Sequence, residues 1–344
     1  MEKIASGGKM KKHIKLILAL GSILLLATAF INASPFSIKP YFLANENNGT
    51  KTESSDLNEK ARLEKIDRMF WKLSGKDSNG KPSTVYFLGT LHVGDERLFP
   101  LPKRILSAFD SADRYAGEIS SKDMQELTAR LMYIMIDSRK KTNGRKVSDS
   151  LSDEEKETGK AFLGSAFNQM DSFEPWVMTM TLSQEVYSSS GLEPDKGIDQ
   201  VLMNKLTEQG KSWEGLDSIK TQIDVLRFGN YDQQLFMLKD ALHDLRDPTE
   251  VNEYINSLYE AYLTGNTDSV SRITNESYTT DDEEMSDFMD EYNEAILINR
   301  NKSWVSKIDD WIKKGGTTFV FAGCAHFSGD HSVFRYLKDA GIIE

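Results

Sequence analysis

Two apolar runs at opposite ends of this chain finish in the same way. Val85-Tyr86-Phe87-Leu88-Gly89-Thr90-Leu91-His92 and Phe319-Val320-Phe321-Ala322-Gly323-Cys324-Ala325-His326 each place four apolar residues before a glycine, two residues and a histidine. Such runs read as buried strands. A glycine leaving a strand permits backbone angles and close approaches that a side chain would block. The histidine then falls at the carboxyl end of its strand, where open α/β sheets bind ligands. If the two strands are neighbours in one sheet, His92 and His326 converge from segments more than 230 residues apart. The competing reading makes each histidine a hydrogen-bonded structural residue, since a lone Gly-x-x-His is a weak pattern.

Composition sharpens this constraint. With 344 residues, 39% of them apolar, the chain can bury a substantial core. Its formal net charge of −11 argues against a phosphate-binding surface, so nucleic-acid partners are discarded. The single cysteine, Cys324, supports neither an intrachain disulfide nor a Cys-rich metal site. Phosphate loops, His-Glu-x-x-His helices and Gly-x-Ser-x-Gly elbows are missing from the sequence. Five histidines are therefore the scarce chemical resource.

At the amino terminus, Lys9, Lys11, Lys12, His13 and Lys15 precede an uncharged apolar run from Leu16 to Ile31, followed by Asn32-Ala33-Ser34-Pro35. A basic region, a short apolar region and a small-residue exit predict a signal peptide over 1–33, cleaved after Ala33. The alternative is an uncleaved membrane anchor, although the run falls just short of the ~17–25 residues of a spanning helix. Met10 is an alternative start. The expected location is extracytoplasmic, secreted or periplasmic. Without residues 1–33 the chain has 37 basic and 52 acidic residues, a formal charge of −15. Membrane contact is thus expected only through an uncleaved signal segment, and peripheral binding would need another device. Residues 34–60, rich in Asn, Ser, Glu and Lys, read as a linker to a domain over 61–344.

Within that domain the patterns predict an α/β fold with a mixed central sheet and many surrounding helices. Met69–Leu73 and Thr84–Leu88, separated by a turn-rich loop, read as a hairpin. Strands at 84–89, 115–119 and 317–322 are expected to share one sheet. Apolar residues recur at helical spacing over 102–110, 123–138 and most of 150–310. These middle helices should cover the sheet and wall a cleft. Asp281-Asp282-Glu283-Glu284 reads as an acidic first helical turn. The last long helix should stop at Gly315-Gly316, and a final one should run from about Ser332 to Ala340.

Glu118 follows Ala116 and Gly117 at a third strand end. Two imidazoles and one carboxylate can hold a divalent ion and leave room for water and substrate, so His92, Glu118 and His326 are the candidate metal ligands. Such mixed ligands accept manganese, cobalt, iron or zinc. The alternative for Glu118 is a solvated strand-end charge, but its apolar neighbours favour a partner, either a metal or an arginine. Arg300 reads as a helix charge or as a guanidinium entering the cleft to hold Glu118 or a substrate carboxylate. It could also stabilise charge developing on a substrate oxygen. Cys324 as nucleophile is disfavoured, because Thr90 holds the matching place in the first motif. His243 and His331 are set aside as surface or structural residues, with His331 near enough in sequence to support His326.

Taken in order, Phe87 to Gly94, Phe99-Pro100-Leu101-Pro102, Ala112-Asp113 and Glu118 resemble the amino-terminal half of the TraB/GumN family, which is related to the Tiki metalloproteases. Gly197-Ile198-Asp199, Trp213 to Ser218 and Gln222 resemble the middle of that family. Asn299-Arg300-Asn301 with Trp304, then Gly323 to Gly329, resemble its end. The resemblance implies one domain akin to the erythromycin-esterase and ChaN-like folds. It also implies a divalent-metal-dependent peptidase site, with His92 and His326 at the motif histidines and Glu118 at the acidic position. Asp217 stands where the family commonly has Glu. A pheromone-shutdown member is discussed as an interfering binder, so the rival expectation is a non-catalytic exported protein that sequesters a peptide signal. In either case the expected partner is a peptide or protein.

Overall fold

The last strand of the chain lies in the middle of its sheet. In the computed structural model, which describes residues 60–275 and 283–344, six strands form one mixed sheet in the order β1-β2-β3-β6-β4-β5. They are β1 (Arg62–Asp67), β2 (Phe70–Lys76), β3 (Pro82–Thr90), β4 (Arg114–Gly117), β5 (Glu214–Gly215) and β6 (Gly316–Gly323). The signal peptide with its cleavage point, the alternative anchor, and the linker up to residue 59 fall outside the described residues, as do Asp281 and Asp282.

β2 and β3 form the expected antiparallel hairpin, with Phe70 opposite Leu88 and Lys76 opposite Pro82. Its turn is set by Asp77, whose carboxylate accepts hydrogen bonds from the amides of Asn79 and Lys81, both at 2.8 Å. β6 then pairs parallel to β3, from Ser83 opposite Gly316 to Thr90 opposite Gly323. On its other side β6 pairs parallel to β4, with Ala116 opposite Val320. The three strands expected to share a sheet are therefore adjacent, parallel and level at their carboxyl ends. β6 is buried from Thr318 onward, so both its faces need cover.

Helices provide that cover. Thirteen α-helices are found among the described residues, most of them between 150 and 314 as the periodicity predicts. Two details differ from the sequence reading. β5 interrupts the helical region for two residues, and a π-helical turn over Glu294–Ile298 leads into the helix Asn299–Lys314. That helix ends where Gly315 and Gly316 take positive φ angles of 74° and 73°, a conformation that glycine adopts at no steric cost.

The core has two parts. The larger packs both faces of the sheet and includes Phe87, Phe109, Phe319, Phe321 and Trp304. The smaller is built by helices beyond the carboxyl ends of the strands and includes Ile119, Leu127, Leu131, Trp176, Val177, Tyr292 and Ile296. Both ends of the domain are pinned together, since Ala61 bridges Ile343 and its amide donates to the Ile342 carbonyl at 2.9 Å.

Tyr262, on the helix Pro248–Leu263, ties this covering layer to the sheet by donating to the carbonyl of Gly89 at 2.7 Å in a fully buried setting. Tyr262→Phe leaves that carbonyl unpaired. It is expected to lower stability by about 1–2 kcal/mol in denaturant titration.

Candidate functional site

His92, Glu118 and His326 come together at the level carboxyl ends of β3, β4 and β6. A Cβ built on Gly323 would lie 3.4 Å from His92 Nε2, 3.4 Å from Glu118 Oε1 and 3.7 Å from His326 Cδ2. The second motif glycine thus keeps open the point on which all three side chains converge. Glu118 is the first residue beyond β4 rather than its last; the backbone turns there as Ile119 enters the smaller core.

Each imidazole is held by its Nδ1. His92 Nδ1 donates to Asp199 Oδ2 at 2.8 Å. His326 Nδ1 lies 2.6 Å from Asn301 Oδ1, and the Asn301 amide nitrogen donates to the His331 carbonyl at 2.7 Å. That second bond fixes the amide orientation and makes His326 Nδ1 the donor. Both rings therefore keep Nε2 as the lone-pair atom, the arrangement expected of imidazoles that bind a cation or act as bases. His92 Nε2 is buried without a hydrogen-bond partner, 3.8 Å from Glu118 Oε1.

The supporting residues explain the middle motifs. Gly197 leads into the helix Ile198–Glu208, and a Cβ there would lie 2.3 Å from the His92 carbonyl oxygen, so only glycine lets the helix start close enough to deliver Asp199. β5 runs beside β4, and the amide of Asp217 donates to the Glu118 carbonyl at 2.8 Å, which sets the two carboxylates side by side. Arg300, just after the π turn, spans them. Its Nε donates to Asp217 Oδ2 at 2.7 Å, its Nη2 to Glu118 Oε2 and its Nη1 to the Ile296 carbonyl at 2.9 Å. Asp217 also accepts from Trp304 Nε1 at 2.7 Å and from Gln222 at 2.9 Å.

This geometry revises three expectations. Arg300 holds Glu118, but all three of its nitrogens are engaged inside the protein and it is 3% exposed, so a role facing substrate is not the one its position offers. Asp217 is the second anchor of that arginine. The cavity lined by His92, Glu118, Asp199 and Met203 is about the size of one water molecule rather than the expected cleft. Asp199 and Asn301 were named only within motifs. Their roles depend on chain approaches that spacing does not reveal, although a glycine directly before a helix carrying a buried acid was a readable signal.

Charge follows from these contacts. Burial opposes ionisation of Glu118, but the Arg300 guanidinium, with the two imidazoles and the Gly323 amide, holds its carboxyl well below the usual range. Burial likewise disfavours the His92 imidazolium, yet Asp199 and then Glu118 outweigh it and raise its pKa. For His326, which has no carboxylate bonded to its ring, burial and then Arg300 outweigh the opposing pull of Glu118 and lower its pKa to about 3. Burial pushes the Cys324 thiol up to about 12, leaving no thiolate at neutral pH. His243 and the His331 ring are exposed, and His331 supports His326 through its backbone carbonyl instead of its ring.

As for a metal, no group of three or more His, Cys, Asp or Glu side chains among the described residues is close enough to hold an ion jointly. The 3.8 Å between His92 Nε2 and Glu118 Oε1 is somewhat more than the roughly 3.0–3.4 Å that separates adjacent octahedral or tetrahedral ligands with ~2.1 Å bonds. The donor chemistry nevertheless suits a cation. The buried carboxyl groups of Glu118, Asp199 and Asp217 face the one guanidinium of Arg300, so the formal excess is two negative charges with both imidazoles neutral and one when His92, whose pKa Asp199 raises, takes a proton.

The sequence profile of the TraB/PrgY/gumN family matches residues 69–344. The chain belongs to that family. Over 284 residues it is 29% identical to an uncharacterized protein of Treponema pallidum (strain Nichols), covering 81% of this chain and 82% of the relative. No solved structure matches. The family profile begins at Met69, so β1 lies outside it, whereas every side chain of the site lies within.

Two expectations follow. Between about pH 6 and pH 5 an unfolded chain protonates most of its His326 imidazole, whose ordinary pKa is 6.5, while the folded one resists until about pH 3. That window lies below the ordinary pKa of His92, whose folded pKa is raised and whose stabilisation is therefore largely in place, and above the ordinary 4.5 of Glu118, whose folded pKa is lowered. Metal-free protein should therefore lose about 1.4 kcal/mol per pH unit there, a slope that chemical denaturation finds missing in His326→Asn. Asp217→Ala removes one of the two carboxylates on Arg300 and the acceptor of Trp304. It should cost about 3–5 kcal/mol by the same measurement.

Proposed function

We propose that this member of the TraB/PrgY/gumN family is an exported, divalent-metal-dependent hydrolase, most closely a peptidase, in which His92, His326 and Glu118 hold the ion. The observation that carries this reading is the buried excess of negative charge, one or two units according to the protonation of His92, beside a His92 Nε2 that has no hydrogen-bond partner. Anionic charge left uncompensated in a low-dielectric site is costly, and a divalent cation offsets it. When bound, such an ion makes water more acidic and polarises an acyl oxygen. Manganese, cobalt, iron and zinc all suit imidazole and carboxylate ligands.

The chain's own residues supply the rest. Asp199 and Asn301 fix the two rings with Nε2 directed away from their anchors. Arg300 keeps Glu118 ionised, and Asp217 keeps Arg300 in place. Without the ion His92 is the more readily protonated of the two imidazoles, because Asp199 favours its charged form whereas His326 resists protonation; with the ion on Nε2 and the Nδ1 proton on Asp199, its ring would serve as a ligand and not as a base. In this reading residues 1–33 are the export signal, and the domain works on peptides or proteins outside the cytoplasm.

A second reading, an exported binder in which the histidines are structural and a peptide is sequestered without turnover, is supported by the side-chain spacing, since no three or more His, Cys, Asp or Glu side chains among the described residues lie close enough to hold an ion jointly. Metal analysis of the purified full chain separates the two. The hydrolase reading expects bound metal in the wild type and loss of it in His92→Ala and His326→Ala, whereas equal content in all three overturns it. With a diverse peptide pool, cleavage that needs manganese or cobalt and stops in chelator supports the hydrolase. Peptides that co-purify uncleaved and stay bound in chelator support the binder.

A further inference from the structure

The large apolar side chains that stand exposed among the described residues lie within five consecutive positions. They are Met132, Tyr133 and Ile136, at 61, 73 and 53% exposure, on the helix Ser121–Lys141. That helix buries Leu127, Leu131 and Ile134 in the smaller core and turns these three outward. Met132, Met135, Ile136 and Phe173 form an apolar groove that Arg139 and Lys140 also line. From Arg139 to Lys146 the chain reads Arg-Lys-Lys-Thr-Asn-Gly-Arg-Lys, five basic residues and no acid in a chain of net charge −11. Lys141 pairs with Asp137 and Arg145 with Asp232. Arg139, Lys140 and Lys146 are exposed and form no ion pair among the described residues.

We propose that this face docks on an anionic lipid bilayer, with Met132, Tyr133 and Ile136 entering the headgroup region and Arg139, Lys140 and Lys146 meeting lipid phosphates. Apolar side chains beside unpaired basic ones are what an interfacial helix needs. A second copy of this chain is the poorer occupant. Three exposed apolar side chains make a small centre for the roughly 20–30 residues, polar ones included, that a stable protein interface uses on each side. None of the described helices is long and apolar enough to cross a membrane, so the contact is peripheral. It does not depend on what the strand-end site does, and it supplies the separate device that so acidic a chain needs to approach an anionic surface.

The full chain carrying Ile136→Cys can be labelled at that position with an environment-sensitive fluorophore, because Cys324 is buried. Vesicles of phosphatidylcholine with about one-third phosphatidylglycerol should shift the emission to the blue. Binding should weaken about tenfold or more on phosphatidylcholine alone and in the Arg139→Glu/Lys140→Glu background. Those two residues are exposed, so the melting temperature should not change. No shift on the anionic vesicles, an equal shift on neutral ones, or a shift that survives the charge reversal each overturns the proposal. So does a lipid-free shift that grows with protein concentration, which would identify a second copy as the occupant.

Discussion

A single guanidinium holds the carboxyl edge of this sheet together. Arg300 reaches Glu118 beyond β4 and Asp217 beyond β5, and it takes the Ile296 carbonyl that the π turn presents to it. Because the cation is almost fully buried, each of these acceptors must be in place when the chain closes; an arginine left with one partner at that depth would carry an uncompensated charge. The side chain stacked near it, Trp304, shares Asp217 and packs against the His326 ring at 4.2 Å between centroids. Arginine, tryptophan and histidine therefore depend on one aspartate. The site is a network of mutual support whose members reach one another from helices at 198, 299 and 324 and from three strand ends.

That network also divides the labour between two like residues. His92 and His326 come from matching motifs and adjacent strands and both feel Glu118 and Arg300, yet Nδ1 of one meets the Asp199 carboxylate and Nδ1 of the other meets an amide. Environment separates them in opposite directions from a common ordinary value. Such splitting of paired titratable groups is how one site holds an acid-accepting and a proton-resisting member at the same pH. An asparagine anchor suits His326 for the same reason, because it fixes the tautomer without adding the charge that would favour protonation.

The parts of this arrangement legible in the sequence were those written locally. Four apolar residues before a glycine announced β3 and β6, and the repeat of that signal told which strands should be neighbours. The glycine pair after Lys314 announced a helix end. β1, with its alternation broken by charges and an exposed edge, and β5, only two residues long, carried too little pattern to be seen. Partner identities were hidden for a different reason. Nothing in the spacing of Asp199, Asp217 or Asn301 says which side chain they meet, because each meets it across the fold. Asp217 was the hardest to read, as a shorter acid at a position where Glu is common; its reach suffices because β5 carries it beside Glu118.

The central placement of β6 has a temporal side. A chain made from its amino terminus can form the β1-β2-β3 hairpin array early, but the strand that joins β3 to β4 is synthesised last, and so is His326. Until then the two halves of the sheet have no common edge, and the carboxylates and guanidinium of the site have no floor between them. A chain that stops short of β6 thus lacks both the strand between His92 and Glu118 and His326 itself, and the two motif histidines meet only once the last strand of the sheet is in place.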